Sequence, residues 1–249
     1  MLNRRWLVRA VILLCLAALA GSDAQAQPAD WLGAIEGRGY VTLGAAVPEV
    51  AALNRRLSSS GHAAIADTVP TIGGGGHAVL DRWILGAEGH VFVVPARAAA
   101  VGARQIERAV GAASGFVDVG YIVVRRDNVD VYPLVGIGGG GMQLKFADRS
   151  PGRFDDVLAD PRQSASLTVG GFLMQAAVGI ERFVVLRRSE AGARISEGGL
   201  TFGLRAGYVF GPLQGDWKLQ GATAAGGPDM GITGPYVRVV IGGGGRRAR

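Results

Sequence analysis

Residues 198–211 read GGLTFGLRAGYVFG and indicate the fold class of this chain. Successive side chains of a β-strand point to opposite faces. One face of this stretch would hold Leu200, Phe202, Leu204, Ala206, Tyr208 and Phe210. The other would hold Thr201, Gly203, Arg205, Gly207 and Val209. The first face is apolar, whereas the second combines small residues with one arginine. The pattern therefore predicts a strand between an apolar environment and a confined polar one.

Seven further stretches are typical of strands: residues 38–47, 71–80, 83–94, 114–124, 129–146, 165–186 and 235–245. Long gaps (48–69, 95–113, 147–164, 212–234) alternate with short ones (81–82, 125–128, 187–197). Membrane barrels have short periplasmic turns and longer outer loops. The alternation predicts an all-β fold, an eight-stranded antiparallel up-and-down transmembrane β-barrel. Alanines within 95–113 predict a short surface helix there.

The N-terminus has the pattern of an export signal. Arg4, Arg5 and Arg9 precede an apolar run at residues 10–20, and Ala24-Gln25-Ala26 offers a cleavage site. The apolar run is shorter than the ~20 residues that a spanning helix needs. We predict a cleaved signal peptide at 1–26, a periplasmic segment at 27–37, the barrel at 38–245 and a basic tail at 246–249. Cys15, the single cysteine, lies in the signal, so the exported chain would have no disulfide and no thiolate site.

Composition limits the functional classes. The chain is 49% hydrophobic and 18% charged, with 41 glycines that follow no collagen period. The net charge is +6, but the arginines are scattered and form neither a basic helix nor an aromatic platform for nucleic acid. The expected counter-charges are therefore the headgroups of membrane lipids and the phosphates of lipopolysaccharide.

The minority face of the strands predicts a polar lumen with a charge network. Its members are Glu88, His90, Asp118, Gln175, Glu181, Arg205 and Arg238. Buried charges must be paired, so we expect carboxylates and arginines to contact each other inside the barrel. The majority face predicts these lipid-facing residues: Leu85, Val119, Tyr121, Phe172, Met174, Phe202, Leu204, Tyr208 and Val239. Aromatic residues near strand ends predict a belt at the membrane interfaces: Tyr40, Trp83, Tyr132, Phe210 and Tyr236.

Cofactor and metal motifs are weak in this sequence. His77 and His90 could approach each other across the turn at 81–82 and bind a metal with Glu88, but no HxH or HExxH spacing supports this. The glycine runs 73–76, 138–141 and 242–245 open no helix and lack the P-loop lysine. We predict no catalytic residue, no metal and no cofactor.

Three segments resemble strands of the small OmpA/OmpX-like outer-membrane barrels: YPLVGIGGGG (132–141), GAEGHVFV (86–93) and GLTFGLRAGYVFG (199–211). This resemblance implies an outer-membrane location, insertion by the barrel assembly machinery, a structural or surface role and, we expect, a monomer. The chain departs from the family by ending IGGGGRRAR instead of on an aromatic residue. An internal assembly signal would then be carried by Tyr236, Val237, Val239 and Ile241.

Three functional hypotheses follow. The first is a non-enzymatic outer-membrane barrel with a side-chain-filled polar lumen, which acts through its surface loops or as a very narrow pore. The second is an outer-membrane lipid-modifying enzyme that uses Ser114, His90 and Asp118. The third is a soluble periplasmic, lipocalin-like binding barrel, which requires apolar residues inside and charges outside.

Overall fold

The computed structural model describes residues 35–102, 104–149, 164–191, 194–229 and 231–247. Its strands are β1 (Ile35–Ala46), β2 (Val69–Leu80), β3 (Trp83–Phe92), β4 (Arg97–Val101), β5 (Arg104–Tyr121), β6 (Val124–Arg126), β7 (Val129–Asp148), β8 (Ser164–Ala191), β9 (Arg194–Gln214), β10 (Trp217–Leu219), β11 (Ala222–Ala224) and β12 (Gly234–Arg247). The helix α1 spans Ala51–Ser59. The predicted signal peptide and residues 27–34 lie outside the described part of the chain.

Eight long strands form a closed antiparallel ring. Its order is β1, β2, β3, β5, β7, β8, β9 and β12, and β12 pairs back onto β1. Closure matters because an open sheet edge in lipid would leave backbone groups without hydrogen bonds, at several kcal/mol each. The predicted eight-stranded up-and-down barrel is confirmed. β4, β6, β10 and β11 are short strands in the connections.

Local structure differs from the sequence prediction in three places. The alanine-rich segment 95–113 forms strands rather than a helix, with Arg97 on β4 opposite Arg108 on β5. Its burial alternates with the two-residue period of a strand, and that period prevails over the helix propensity of alanine. The helix α1 lies instead in the first long loop. The expected polar turn at 187–197 is mostly strand, since β8 continues to Ala191 and β9 begins at Arg194.

The outer face of the ring carries an apolar belt. On β9, Leu200, Phe202, Leu204 and Phe210 expose 39–48% of their surface. Ten strand residues at the tilt of a membrane barrel rise about 25 Å, which matches the apolar band of such proteins. Trp83 and Tyr121 pack edge to face, with their ring centroids 5.1 Å apart. They lie at the end of the barrel that carries the short turns. The apolar side chains therefore face outward toward lipid, whereas the soluble lipocalin-like hypothesis requires apolar residues inside and charges outside.

The interior has two layers. Polar and charged side chains fill the middle of the barrel and the part nearest the short turns, where Val79, Ile84 and Ile122 are also buried. Near the long loops an apolar layer, which we call the cap, closes the barrel. Its members include Val50, Leu53 and Leu57 from the α1 segment, Leu144 from β7, Trp217 from β10 and Ile232. No helix in the described residues is long and apolar enough to cross a membrane.

Candidate functional site

A network of buried side chains crosses the lumen between strands on opposite sides of the ring. Arg205 on β9 lies four strands from β3 in either direction, yet its guanidinium bonds directly to Glu88 of β3. The other terminal nitrogen of Arg205 donates to the Tyr132 hydroxyl at 3.0 Å and contacts Glu181 at 3.3 Å. Tyr132 itself donates to Glu181. Arg205 is 1% exposed, so water does not screen these contacts.

Nearer the short turns, Arg38 of β1 makes a second crossing. Its guanidinium contacts Asp130 of β7 at 2.8 Å, Glu36 at 2.9 Å and Glu181 at 3.3 Å. Arg125, near the turn, shares two of these carboxylates: it contacts Glu36 at 3.1 Å and donates to Asp130 at 2.7 Å. Three carboxylates and two arginines therefore close this end of the lumen.

Nearer the cap, uncharged groups complete the network. The Gln175 amide donates to Asp118 at 2.7 Å and to Glu88 at 2.8 Å. The Tyr236 hydroxyl donates to the Gln175 carbonyl at 2.9 Å. Arg238 places its guanidinium 3.7 Å from the centre of the Tyr236 ring, a cation–π geometry.

The seven residues proposed for the lumen network are all buried: Glu88, His90, Asp118, Gln175, Glu181, Arg205 and Arg238. The structure adds residues that sequence reasoning missed: Glu36, Arg38, Thr42, His77, Arg125 and Asp130. Glu36 and Arg38 were missed because they lie before and at the expected start, residue 38, of the first strand. It begins at Ile35, and strand alternation from there places both side chains inside.

Three of the five aromatic residues expected at the membrane interfaces lie in the lumen instead. Tyr40, Tyr132 and Tyr236 are 7%, 1% and 3% exposed. Their hydroxyls bond to network members, because the polar lumen offers them partners that hydrocarbon does not. Trp83 and Phe210 are exposed on the outer face.

The residues predicted to face lipid lie on the outer face with one qualification. Leu85, Val119, Tyr121, Phe172, Met174, Phe202, Leu204 and Val239 are exposed. Tyr208 is half-buried because its hydroxyl donates to Glu49 of the first long loop. On β12, Val237 and Ile241 point outward as well, whereas Tyr236 points inward.

Lumen-facing glycines provide the space for this network. A methyl group on Gly179 would overlap the Tyr132 ring. One on Gly136 would overlap the Asp118 carboxylate. The glycines thus allow large polar side chains from neighbouring strands to fill a small barrel.

The candidate catalytic residues are not arranged as a triad. Ser114 lies opposite His90 in the register of β3 and β5. The His90 ring, however, contacts Thr42 at 3.3 Å, Arg238 at 2.9 Å and Glu88 at 3.1 Å. In the register of β2 and β3, His77 lies opposite Gly86 and His90 opposite Gly73, so the two histidines are not neighbours. The described residues contain no cluster of three or more His, Cys, Asp or Glu that could bind a metal.

A cleft of about 310 Å³ opens between α1 and the β10–β11 hairpin; we call it the cap cleft. Its floor is apolar and buried, with Leu53, Leu57, Leu144 and Trp217 at 2–5% exposure. Exposed Arg56 lies at its rim. The Trp217 indole donates to the Pro228 carbonyl at 2.6 Å, which anchors the hairpin over the cleft.

Arg108 is a buried cation next to Phe146, a residue of the cleft wall, and is not itself among the lining residues. It lies opposite Phe146, which lines the cleft, on the inner face of β5 and β7. Arg108 is 2% exposed, and its Nε and Nη1 have no hydrogen-bond partner among the described residues. Burial, together with the nearby charge of Arg97, lowers the pKa of the Arg108 guanidinium. The charged group therefore lies where its charge is poorly compensated.

A smaller cluster at the end of the barrel with the short turns joins three strands. Glu197 of β9 accepts hydrogen bonds from Arg188 of β8 at 2.5 Å and from Arg246 of β12 at 2.9 Å. These hydrogen bonds lower the pKa of Glu197.

The closed ring, the apolar belt and the polar lumen define a class: this chain has the architecture of a small transmembrane β-barrel protein. No family model matches the sequence, and no curated protein matches it.

Three solved structures align with most of this chain at low sequence identity. Ail, the attachment invasion locus protein of Yersinia pestis, solved with the heparin analogue sucrose octasulfate, is 14% identical, with a TM-score of 0.40 over 86% of this chain and 99% of that one. A major outer membrane protein from Thermus thermophilus is 9% identical, with a TM-score of 0.31 over 85% and 99%. The outer membrane protease OmpT of Escherichia coli is 6% identical, with a TM-score of 0.29 over 87% and 97%.

Proposed function

We propose that this protein is a non-enzymatic, monomeric outer-membrane barrel that acts through its long outer loops. In this proposal the barrel assembly machinery inserts it, its outward apolar side chains face lipid, and the lumen network is structural. The loops contact lipopolysaccharide and other molecules at the cell surface.

The observation that carries the proposal is the double crossing of the lumen. Arg38 bonds to Asp130 and Arg205 bonds to Glu88, and each pair joins strands on opposite sides of the ring. The cap covers the same lumen from the loop side. A solute would have to break buried charge pairs to pass, which favours a closed barrel over a very narrow pore.

Basic side chains near the upper edge of the belt support contact with lipopolysaccharide. Lys145 is exposed on the outer face of β7, beyond the exposed apolar residues Val135 and Ile137 of that strand, and Lys218 is exposed on β10. Phosphates of lipopolysaccharide are the natural counter-charges for amines at that height. This contact would anchor the loops against the outer leaflet.

Two measurements test the proposal. In planar bilayers, the purified protein should give no sustained conductance, whereas steady channels would contradict the closed lumen. Added lipopolysaccharide should raise the temperature at which the folded band disappears on unboiled gels. Replacing Lys145 and Lys218 together with glutamine should reduce this rise, and an unchanged rise would contradict the lipopolysaccharide contact.

The same preparation tests the enzymatic alternative. A serine-reactive probe should leave Ser114 unlabelled, because that side chain is buried and the His90 ring is engaged by other partners. Stoichiometric labelling of Ser114 in the folded protein would contradict a non-enzymatic role.

A further inference from the structure

We propose that the cap cleft binds a water-borne, single-chain amphiphile with an anionic head, whose chain lies on the apolar floor and whose head pairs with Arg108. This inference rests on the proposed function, because it assigns an occupant to the outer-loop surface.

The walls of the cleft favour an apolar chain. Leu53 and Leu57 of α1 face Leu144 of β7 and the Trp217 ring across it. These side chains belong to the cap, so the floor is preformed and does not need to be assembled around a ligand. An apolar chain placed there would remove further apolar surface from water at roughly 25 cal/mol per Å².

The volume limits the number of chains. The cleft measures about 310 Å³, at the lower end of the ~300–1,000 Å³ range of ligand sites. That space suits one short chain.

The position of the cleft favours a ligand that arrives from water. Leu144 and Phe146 line it, and between them exposed Lys145 points outward from β7. Gln143, the preceding outward residue, bonds to the Ser166 hydroxyl at 3.0 Å. The outer face at this level is therefore polar, and the cleft lies above the apolar belt.

Arg108 provides the charge preference. It is directly opposite Phe146 on the same inner face, and side chains in such pairs have Cβ atoms about 5 Å apart. No described carboxylate lies within ion-pair distance of Arg108. The neighbouring acids are engaged elsewhere: Glu107 contacts Arg149 at 2.9 Å and Asp148 contacts Arg104 at 3.7 Å. A carboxylate, sulfate or phosphate head would compensate the buried guanidinium.

His62 and Arg56 add further polar groups. The His62 ring lies 4.6 Å from the Phe146 ring, at the same wall as Arg108. Arg56 donates to the Gly226 carbonyl and so lies where the hairpin meets the helix. The two side chains border the opening through which an anionic head would be admitted.

The test uses the full protein in nanodiscs and the fluorescence of Trp217. The probe is 10-bromodecanoate, a single-chain carboxylate whose bromine quenches indole fluorescence, added below its micellar concentration. Subtracting the signal of a Trp217→Phe variant isolates Trp217 from the other tryptophans. Saturable quenching of Trp217 supports the site, whereas its absence overturns the proposal.

The head-group arm compares 10-bromodecanoate with 10-bromodecanol on the parent protein. The carboxylate should bind about tenfold more tightly, because one charge-assisted pair is worth about that factor. Arg108→Gln should remove this preference and leave the affinity for the alcohol unchanged. Arg126→Gln, at an exposed arginine on the opposite end of the barrel, is the matched control. Equal affinities for acid and alcohol in the parent would overturn the assignment even if Arg108→Gln does not fold.

A competition arm separates this proposal from the proposed function. Lipopolysaccharide should bind through Lys145 and Lys218 without displacing 10-bromodecanoate from the cleft. Displacement would overturn the single-chain occupant, whereas loss of the lipopolysaccharide effect alone would count only against the loop contact.

Discussion

Arg38 of β1 and Asp130 of β7 lie 2.8 Å apart although their strands are four positions apart in either direction around the ring. Residues 92 positions apart in the chain thus meet across the full width of the barrel. Arg205 and Glu88 also meet across the barrel, closer to the cap. The rings of Tyr40 and Tyr132 pack around Arg205, with their centres 5.3 and 5.8 Å from its guanidinium carbon. The lumen is consequently a cross-linked polar core.

Replacing Arg205 with leucine should destabilise the folded barrel by about 3–5 kcal/mol, because buried Glu88 and Glu181 would lose a cationic partner. The measurement is urea unfolding followed by the mobility of unboiled protein on gels. Arg126→Leu removes an exposed arginine of the short turn and should have little effect. A variant at position 205 as stable as the parent would show that the network contributes nothing to stability.

Gly179→Ala should destabilise the barrel by about 1–3 kcal/mol, because the added methyl group would overlap the rigid Tyr132 ring. Thermal unfolding in detergent measures the loss. Gly39→Ala is the matched control, since nothing lies within 4 Å of a methyl group added there. If the two variants lose the same stability, the tight packing of Tyr132 against Gly179 is contradicted.

Leu204→Arg should destabilise the membrane-inserted barrel by about 2–4 kcal/mol, because the side chain is on the outer face near the middle of the apolar belt. Folding into lipid vesicles at several urea concentrations measures the effect. Leu219 has a similar exposed fraction, 43% against 46%, but lies on the β10–β11 hairpin above the belt. Leu219→Arg should therefore cost little, and a comparable cost at both positions would contradict the assigned belt.

Glu197→Gln should lower stability at about pH 7 and have a smaller effect at about pH 3. The folded-state pKa of Glu197 is lowered by Arg188 and Arg246, so its contribution is present above the usual glutamate pKa of about 4.3 and is lost as the pH falls through the folded-state pKa. Unfolding of parent and variant at both pH values gives the difference. Asp127→Asn changes an exposed acid and should change stability equally at both pH values. If the stability lost in Glu197→Gln does not change with pH, the ion pairs of Glu197 with Arg188 and Arg246 are contradicted.

The strands and their inward faces were largely predictable because strand alternation is a local property. Arg205 among glycines on β9 and Glu88 beside His90 on β3 indicate a polar interior without any knowledge of their partners. Glu36 was missed because strand ends are poorly marked in sequence. Tyr40, Tyr132 and Tyr236 were assigned to the interfaces because proximity to a strand end does not tell whether a side chain points inward.

The cap and Arg108 were beyond prediction. The alanines of 95–113 favour a helix locally, whereas β5 begins at Arg104, pairs with β4 and β7, and turns Arg108 inward. Likewise, no pattern in residues 48–69 shows that Leu53 and Leu57 will close the barrel, since their partners Leu144 and Trp217 lie far along the chain.

The order of residues alone therefore determines that this chain forms alternating strands, that eight of them are long, and which of their faces is apolar. Those properties depend on a two-residue period and on gap lengths, which are read within each segment. Ring closure decides which inward side chains meet, because it sets Arg38 opposite Asp130 and Arg205 opposite Glu88. Pairing among distant strands also fixes the positions from which the loops depart. The loop that contains α1 therefore lies over the open end of the barrel, near the buried Arg108.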